Sequence, residues 1–125
     1  MTLKITGLDH IQICVPTDQE ETAREFYLNI LNFEEIEKPK TLKKNGGFWC
    51  CAGDAFLHIG VEECDAIITS KRHPAFIVED IMETRKHLEH YQVPIKEDTP
   101  IPGIVRFSCF DPFNNRIELL QRIDD

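Results

Sequence analysis

The stretch His73-Pro-Ala-Phe-Ile-Val-Glu-Asp80-Ile-Met-Glu83 decides how this chain is read, because it restates an earlier one. Residues 10–20 run His-Ile-Gln-Ile-Cys-Val-Pro-Thr-Asp-Gln-Glu. Each stretch opens on a His and passes through apolar residues of strand type. Each then reaches a capping-box spelling, Thr17-Asp-Gln-Glu20 or Asp80-Ile-Met-Glu83. His10 and His73 stand 63 positions apart, as do Thr17 and Asp80, and Glu20 and Glu83. Matched cap spacing on top of matched element order marks an internal duplication.

Working outward, Leu8–Val15 reads as a strand, with Ile11, Ile13 and Val15 on one face and Leu8, His10, Gln12 and Cys14 on the other. The helix that Thr17 opens carries an apolar stripe of Ala23, Phe26, Tyr27 and Ile30, and Asn32 ends it. A short strand over Phe33–Glu37, a polar loop over Lys38–Asn45 and strands Phe48–Ala52 and Ala55–Val61 about a Gly53-Asp54 turn complete the first half. A polar connection, Glu62–Arg72, carries a small apolar insert at Ala66–Ile68. The second half predicts a strand over His73–Val78, a helix from Asp80 through His90, a short strand over Gln92–Lys96 and a Pro-rich loop over Glu97–Gly103. Strands Ile104–Phe110 and Arg116–Gln121 follow, joined by Asp111-Pro-Phe-Asn-Asn115, where Asn114 or Asn115 takes a left-handed conformation. The expected fold class is α+β, a tandem βαβββ repeat in a single domain over 1–125, with modules at about 8–61 and 73–121.

Length and charge narrow the function. A chain of 125 residues with 42% apolar composition suits one domain. No apolar run approaches the roughly 20 residues that span a bilayer, and no signal peptide is legible at the N-terminus. A net charge of −8 argues against nucleic acid and anionic membranes as partners. Five cysteines without a C-x-x-C pair fit structural thiols in a reducing, cytoplasmic setting.

His10, His58, His73 and Glu118 occupy equivalent points of the repeat, His58 and Glu118 each lying near the middle of the last strand of its half. Apolar neighbours flank both: Leu57 and Ile59 around His58, Ile117 and Leu119 around Glu118. Alternation therefore turns the two polar side chains away from the helix-packed face. A buried lone carboxylate there costs several kcal/mol unless a cation or a strong donor compensates. Three imidazoles and a carboxylate around a divalent metal supply that compensation, and the set suits zinc, nickel, iron, manganese or cobalt. A non-metal polar pocket is the alternative. Arg106 and Arg116 read either as anchors for a substrate carboxylate or phosphate, or as partners of nearby acidic residues. Trp49 and Phe113, with Phe48, Phe56 and Phe107, read as pocket lining or as core, and Gln12 shares the polar strand face with His10. His87 and His90 have no repeat partner and read as surface residues.

The spellings Leu8-Asp-His10-Ile-Gln-Ile, Phe56-Leu-His58-Ile-Gly-Val-Glu-Glu63, the 73–80 stretch and Asp111-Pro-Phe-Asn-Asn-Arg-Ile-Glu118 resemble the vicinal oxygen chelate superfamily, the glyoxalase, bleomycin-resistance and dioxygenase family. The resemblance spans roughly Leu8 to Gln121 and implies a curved, mostly antiparallel sheet cup with helices outside. In metal-using members a His of the first strand, a His opening the second half and a late Glu bind the metal, positions that His10, His73 and Glu118 match. His58 stands where glyoxalase I has Glu, and Asn114 where the family usually has Gly. The implied activity is that of a divalent-metal-dependent lyase or isomerase. It would act on a small oxygen-bearing substrate through a metal-chelated, enediolate-like intermediate, with Glu118 or a metal-bound water as proton carrier. A small-molecule binding or drug-sequestering protein is the alternative, and a thiol transferase or dioxygenase a further one.

Each half offers an open sheet with a helix on one face, so its other face needs a complement. The 62–72 connection permits pairing within or between chains. The resemblance favours a homodimer whose site takes His10 and His58 from one subunit and His73 and Glu118 from the other.

Overall fold

The computed structural model describes residues 2–64 and 70–123, so the Ala66–Ile68 insert lies outside the described residues. In the first half, strand β1 (Ile11–Pro16) leads into helix α1 (Glu20–Arg24), which continues without a break as a π-helix over Glu25–Ile30. Strands β2 (Glu34–Ile36), β3 (Phe48–Ala52) and β4 (Ala55–Glu62) follow, with a 3-10 helix at Lys40–Asn45 where a loop was expected. The second half repeats the order as β5 (Ala75–Ile77), α2 (Ile81–His90), β6 (Ile95–Glu97), β7 (Ile104–Phe110) and β8 (Arg116–Arg122). Two four-stranded sheets result, ordered β1-β4-β3-β2 and β5-β8-β7-β6. In each sheet one pair is parallel (β1 with β4, β5 with β8) and the rest are antiparallel, the α+β arrangement expected from the repeat.

Alternation sets the faces. Leu57, Ile59, Phe48 and Cys50 of the first sheet, and Ile117, Leu119, Phe107 and Cys109 of the second, are buried with Ala23, Phe26 and Tyr27 of the first helix and Leu88 of α2. A register slip of one residue would turn this whole set to the opposite face, so burial fixes the register. The intervening residues, His58 and Glu118 among them, face the other way.

Local signals held where their partners were local. Asp80 caps α2 by accepting from the Glu83 backbone N–H at 3.0 Å, and Asn114 takes the left-handed conformation at φ 69°. The first cap fails. Helix α1 starts at Glu20 after Gln19, with no side-chain cap, and Glu20 instead accepts from the Gly47 backbone N–H at 2.9 Å. Gly47 has φ 79°, and a Cβ there would lie 2.1 Å from the Ile59 carbonyl oxygen, so the chain enters β3 against β4 too closely for any side chain. Glu20 thus spends Oε1 on that N–H and Oε2 on Arg24 Nε at 3.3 Å, and neither oxygen closes the capping box. Strand β1 begins at Ile11 rather than Leu8, because pairing with β4 starts at Ile11 opposite Leu57, and Leu8 is exposed.

Side-chain contacts clasp the halves, Asn115 Nδ2 donating to the Cys14 carbonyl at 3.2 Å among them. Tyr27 donates to Asp111, His87 donates Nε2–H to the Ile30 carbonyl at 2.6 Å, and Phe33 meets Phe76 edge-on. His87 is therefore a half-buried bridge and not a surface residue; Ile30 closes the π-helix and leaves its carbonyl for an outside donor.

Candidate functional site

The four candidate ligands form two pairs, one on each sheet. On the first, His10 sits just before β1, and the register places Gln12 beside His58 and His58 beside Trp49. The three rings stack: Trp49 on His58 at 3.9 Å between centroids, His58 on His10 at 3.8 Å. His10 donates Nδ1–H to Asp9 Oδ2 at 2.7 Å, which leaves its Nε2 with the lone pair. Desolvation, reinforced by the positive charge of a protonated His10 and by Lys38, holds the His58 imidazole below its ordinary pKa, against an opposing pull from Asp9. The His58 ring thus favours its neutral, lone-pair form. Gly60 makes room for Gln12, whose amide nitrogen would stand 2.6 Å from a Cβ at that position. The pair opens into a cavity of about 680 Å³ lined by Gln12, Trp49, Phe56 and Lys38 as well.

On the second sheet Glu118 is only 5% exposed, between Ala75 and Ser108 in register. Its Oε1 receives His73 Nε2 at 3.0 Å and Arg106 Nη1 at 3.3 Å. His73 spends Nδ1–H on the Lys71 carbonyl at 2.7 Å. A proton or a cation therefore lies between Nε2 and the carboxyl oxygen, since two lone pairs facing each other repel. A carbonyl fixing Nδ1 is the outer-shell arrangement that orients a metal-binding imidazole through Nε2. Three imidazoles and one buried carboxylate are a donor set that suits a divalent cation.

Within one chain the two pairs remain apart. Among the described residues no group of three or more His, Cys, Asp and Glu side chains stands close enough to hold a metal ion.

A family model described as Glyoxalase/Bleomycin resistance protein/Dioxygenase superfamily matches residues 7–119. The chain belongs to this superfamily. Among solved structures, a glyoxalase family protein from Bacillus anthracis is 41% identical, covering 98% of this chain and 99% of its own, with a TM-score of 0.87. A mutant of the fosfomycin resistance protein FosX from Listeria monocytogenes, complexed with Mn(II) and 1S,2S-dihydroxypropylphosphonic acid, is 23% identical over 95% of this chain and 94% of its own (TM-score 0.80). TnmS3, an antibiotic binding protein from Streptomyces sp. CB03234, is 18% identical over 97% of this chain and 99% of its own (TM-score 0.71). The last two share the fold. No protein of curated function matches the sequence.

In this glyoxalase-superfamily chain the remaining candidates separate. Trp49 and Gln12 line the first cavity. Phe113 is buried in the core with Asp111 accepting from its backbone N–H, and so stands on neither polar sheet face. Arg116 bonds Asp98 Oδ1 at 2.7 Å and Ser108 Oγ at 3.0 Å, the acidic pairing that was one of its two readings. Arg106 donates twice to the Thr99 carbonyl, at 3.0 and 2.7 Å, besides meeting Glu118. Asp98, whose side chain is 2% exposed, and Asp9 escaped the sequence reading. Asp98 sits in the stretch read as a Pro-rich loop, and no periodicity marks it. Asp9 had a signal, its position next to a candidate ligand.

Proposed function

We propose that this chain is a divalent-metal-dependent enzyme of lyase or isomerase type acting on a small oxygen-bearing molecule. Its centre would be built in a homodimer from His10 and His58 of one subunit and His73 and Glu118 of the other. One observation carries the reading: His73 Nε2 and the buried Glu118 Oε1 face each other at 3.0 Å, with Nδ1 already committed to Lys71. The separation of this pair from His10 and His58 within one chain supports a shared site, because two-fold symmetry would then complete two equivalent centres. Which of zinc, nickel, iron, manganese or cobalt binds is set by the loaded protein; a fold relative holds Mn(II).

The bound metal would supply Lewis-acid polarisation of two neighbouring substrate oxygens. The chain's own residues do the rest. Asp9 and the Lys71 carbonyl fix the His10 and His73 tautomers. The Trp49 platform and the Gln12 amide orient an apolar body and a polar group in the first cavity. The Glu118 carboxylate moves the proton, since transfer requires a base within hydrogen-bond reach of the reacting carbon. The second reading, a non-catalytic small-molecule binding protein, is favoured by the ring stack of Trp49, His58 and His10, which gives the cavity an aromatic lining. Metal analysis of protein purified without chelator, followed by a screen of small carbonyl compounds and their thiol adducts, decides between them. Stoichiometric metal with turnover supports the enzyme; ligand binding without metal or turnover supports the alternative.

A further inference from the structure

We infer that Arg106, and not Arg116, selects an anionic substrate at this centre, and that it becomes available only when a cation takes Glu118. The inference rests on the metal-dependent reading above. Both guanidinium groups lie on the polar face of the second sheet, but their charges are spent differently. Arg116 is neutralised by Asp98, and Ser108 Oγ, which accepts from Arg116 Nε, donates to Asp98 Oδ2 at 2.7 Å. Removing Arg116 would leave the buried Asp98 carboxylate with Ser108 and, at 3.8 Å, Lys96 alone, so its task is to hold the sheet face together.

Arg106 is anchored by a neutral group. Its Nε and Nη2 both donate to the Thr99 carbonyl, which fixes the guanidinium without cancelling its charge. The charge is met by Glu118, through Nη1 to Oε1 at 3.3 Å. That same oxygen receives His73. A divalent cation on Glu118 competes for this oxygen and consumes the carboxylate charge. Arg106 then stays clamped by Thr99 with its Nη1 hydrogens aimed at the edge of the centre and no counter-charge. Two positive groups this close favour an anion between them, and the planar fork of arginine suits a carboxylate or phosphonate. The substrate class is therefore a small oxyanion whose charged group adjoins the oxygen pair. Linkage gives a second consequence: Arg106 opposes metal binding when no anion is present, and an anion strengthens it.

Glycolate and its neutral counterpart glycolamide test this, because both carry neighbouring oxygens and one carries the charge. Mn(II) affinity is measured by the paramagnetic resonance of free Mn(II), with protein-free titrations correcting for Mn(II) that glycolate binds itself. Glycolate should tighten Mn(II) binding to the wild type by about tenfold or more, and glycolamide should not. R106Q should bind Mn(II) alone about threefold or more tightly than the wild type, and should lose the glycolate effect. R106K, which keeps the charge but not the fork or the Thr99 clamp, should keep part of it. Equal effects of glycolate and glycolamide on the wild type, or an undiminished glycolate effect in R106Q, would overturn the role of Arg106 and leave the metal centre standing. Failure of the wild type to bind Mn(II), or binding that survives E118A unchanged, would remove the metal centre and this inference with it. Should R106Q fail to fold, the wild-type discrimination and R106K decide the matter.

Discussion

Tyr27 and Asp111, 84 positions apart, are joined by a buried hydrogen bond of 2.6 Å that ties the π-helix of the first half to the last turn of the second. Asp111 also accepts from the Phe113 and Asn115 backbone N–H groups and from the Asn115 amide, so the turn and the clasp share one carboxylate. The Tyr27→Phe variant removes the clasp and leaves Asp111 with its other donors. It should lose about 1–2 kcal/mol of stability, read from urea unfolding. A loss within experimental error would show that the packing of the halves does not use this bond.

Burial raises the Tyr27 hydroxyl well above its usual 10.0, with the Asp111 carboxylate adding to the effect. Burial likewise pushes the Cys50 and Cys109 thiols from 9.0 up to about 12. A raised folded value means that the unfolded chain ionises first as pH rises. The stability these groups contribute is intact below about 9 and is lost progressively toward pH 12. The melting temperature should fall over that interval, and less steeply in a Cys50→Ala, Cys109→Ala double variant. Parallel curves for the two proteins would remove the thiols from the explanation.

The same burial makes Cys50 a poor nucleophile, and Cys51 beside it has no His or basic neighbour in the chain. A Cys50→Ala, Cys51→Ala variant should retain turnover and metal content, and the folded wild type should resist alkylation of Cys50 at pH 8. A folded variant devoid of activity would assign the pair a catalytic part.

His10→Ala, His73→Ala and Glu118→Ala should each weaken metal binding at least about tenfold, the loss expected when a coordinating group disappears. Unchanged stoichiometry and affinity in all three would dismiss these residues as ligands.

Mixing the His10→Ala and Glu118→Ala chains separates a shared centre from one built within a chain. A shared centre regenerates one intact metal site in each mixed dimer, detectable as recovered tight metal binding. Recovery of none would confine the ligands to a single chain.

The sequence by itself determined what depends on neighbours a few residues away. Alternating apolar residues set the faces of β4 and β8, so His58 and Glu118 were legible as polar side chains turned from the core. The Asp80 cap and the turn at Asn114 were legible because donor and acceptor, or residue and conformation, lie within one short segment. The 63-residue repeat, which owes nothing to any contact, announced two matching halves. Tertiary structure decided everything that required distant segments to meet. Glu20 was drawn from its capping role by the Gly47 N–H, and His87 from the surface by the Ile30 carbonyl. Arg106 and Arg116, alike in sequence, were separated by what faces them: a neutral carbonyl and Glu118 for one, a buried Asp98 for the other. A side chain's partner is set by sheet register and packing, and the free energy of a polar group depends on that partner more than on its own identity.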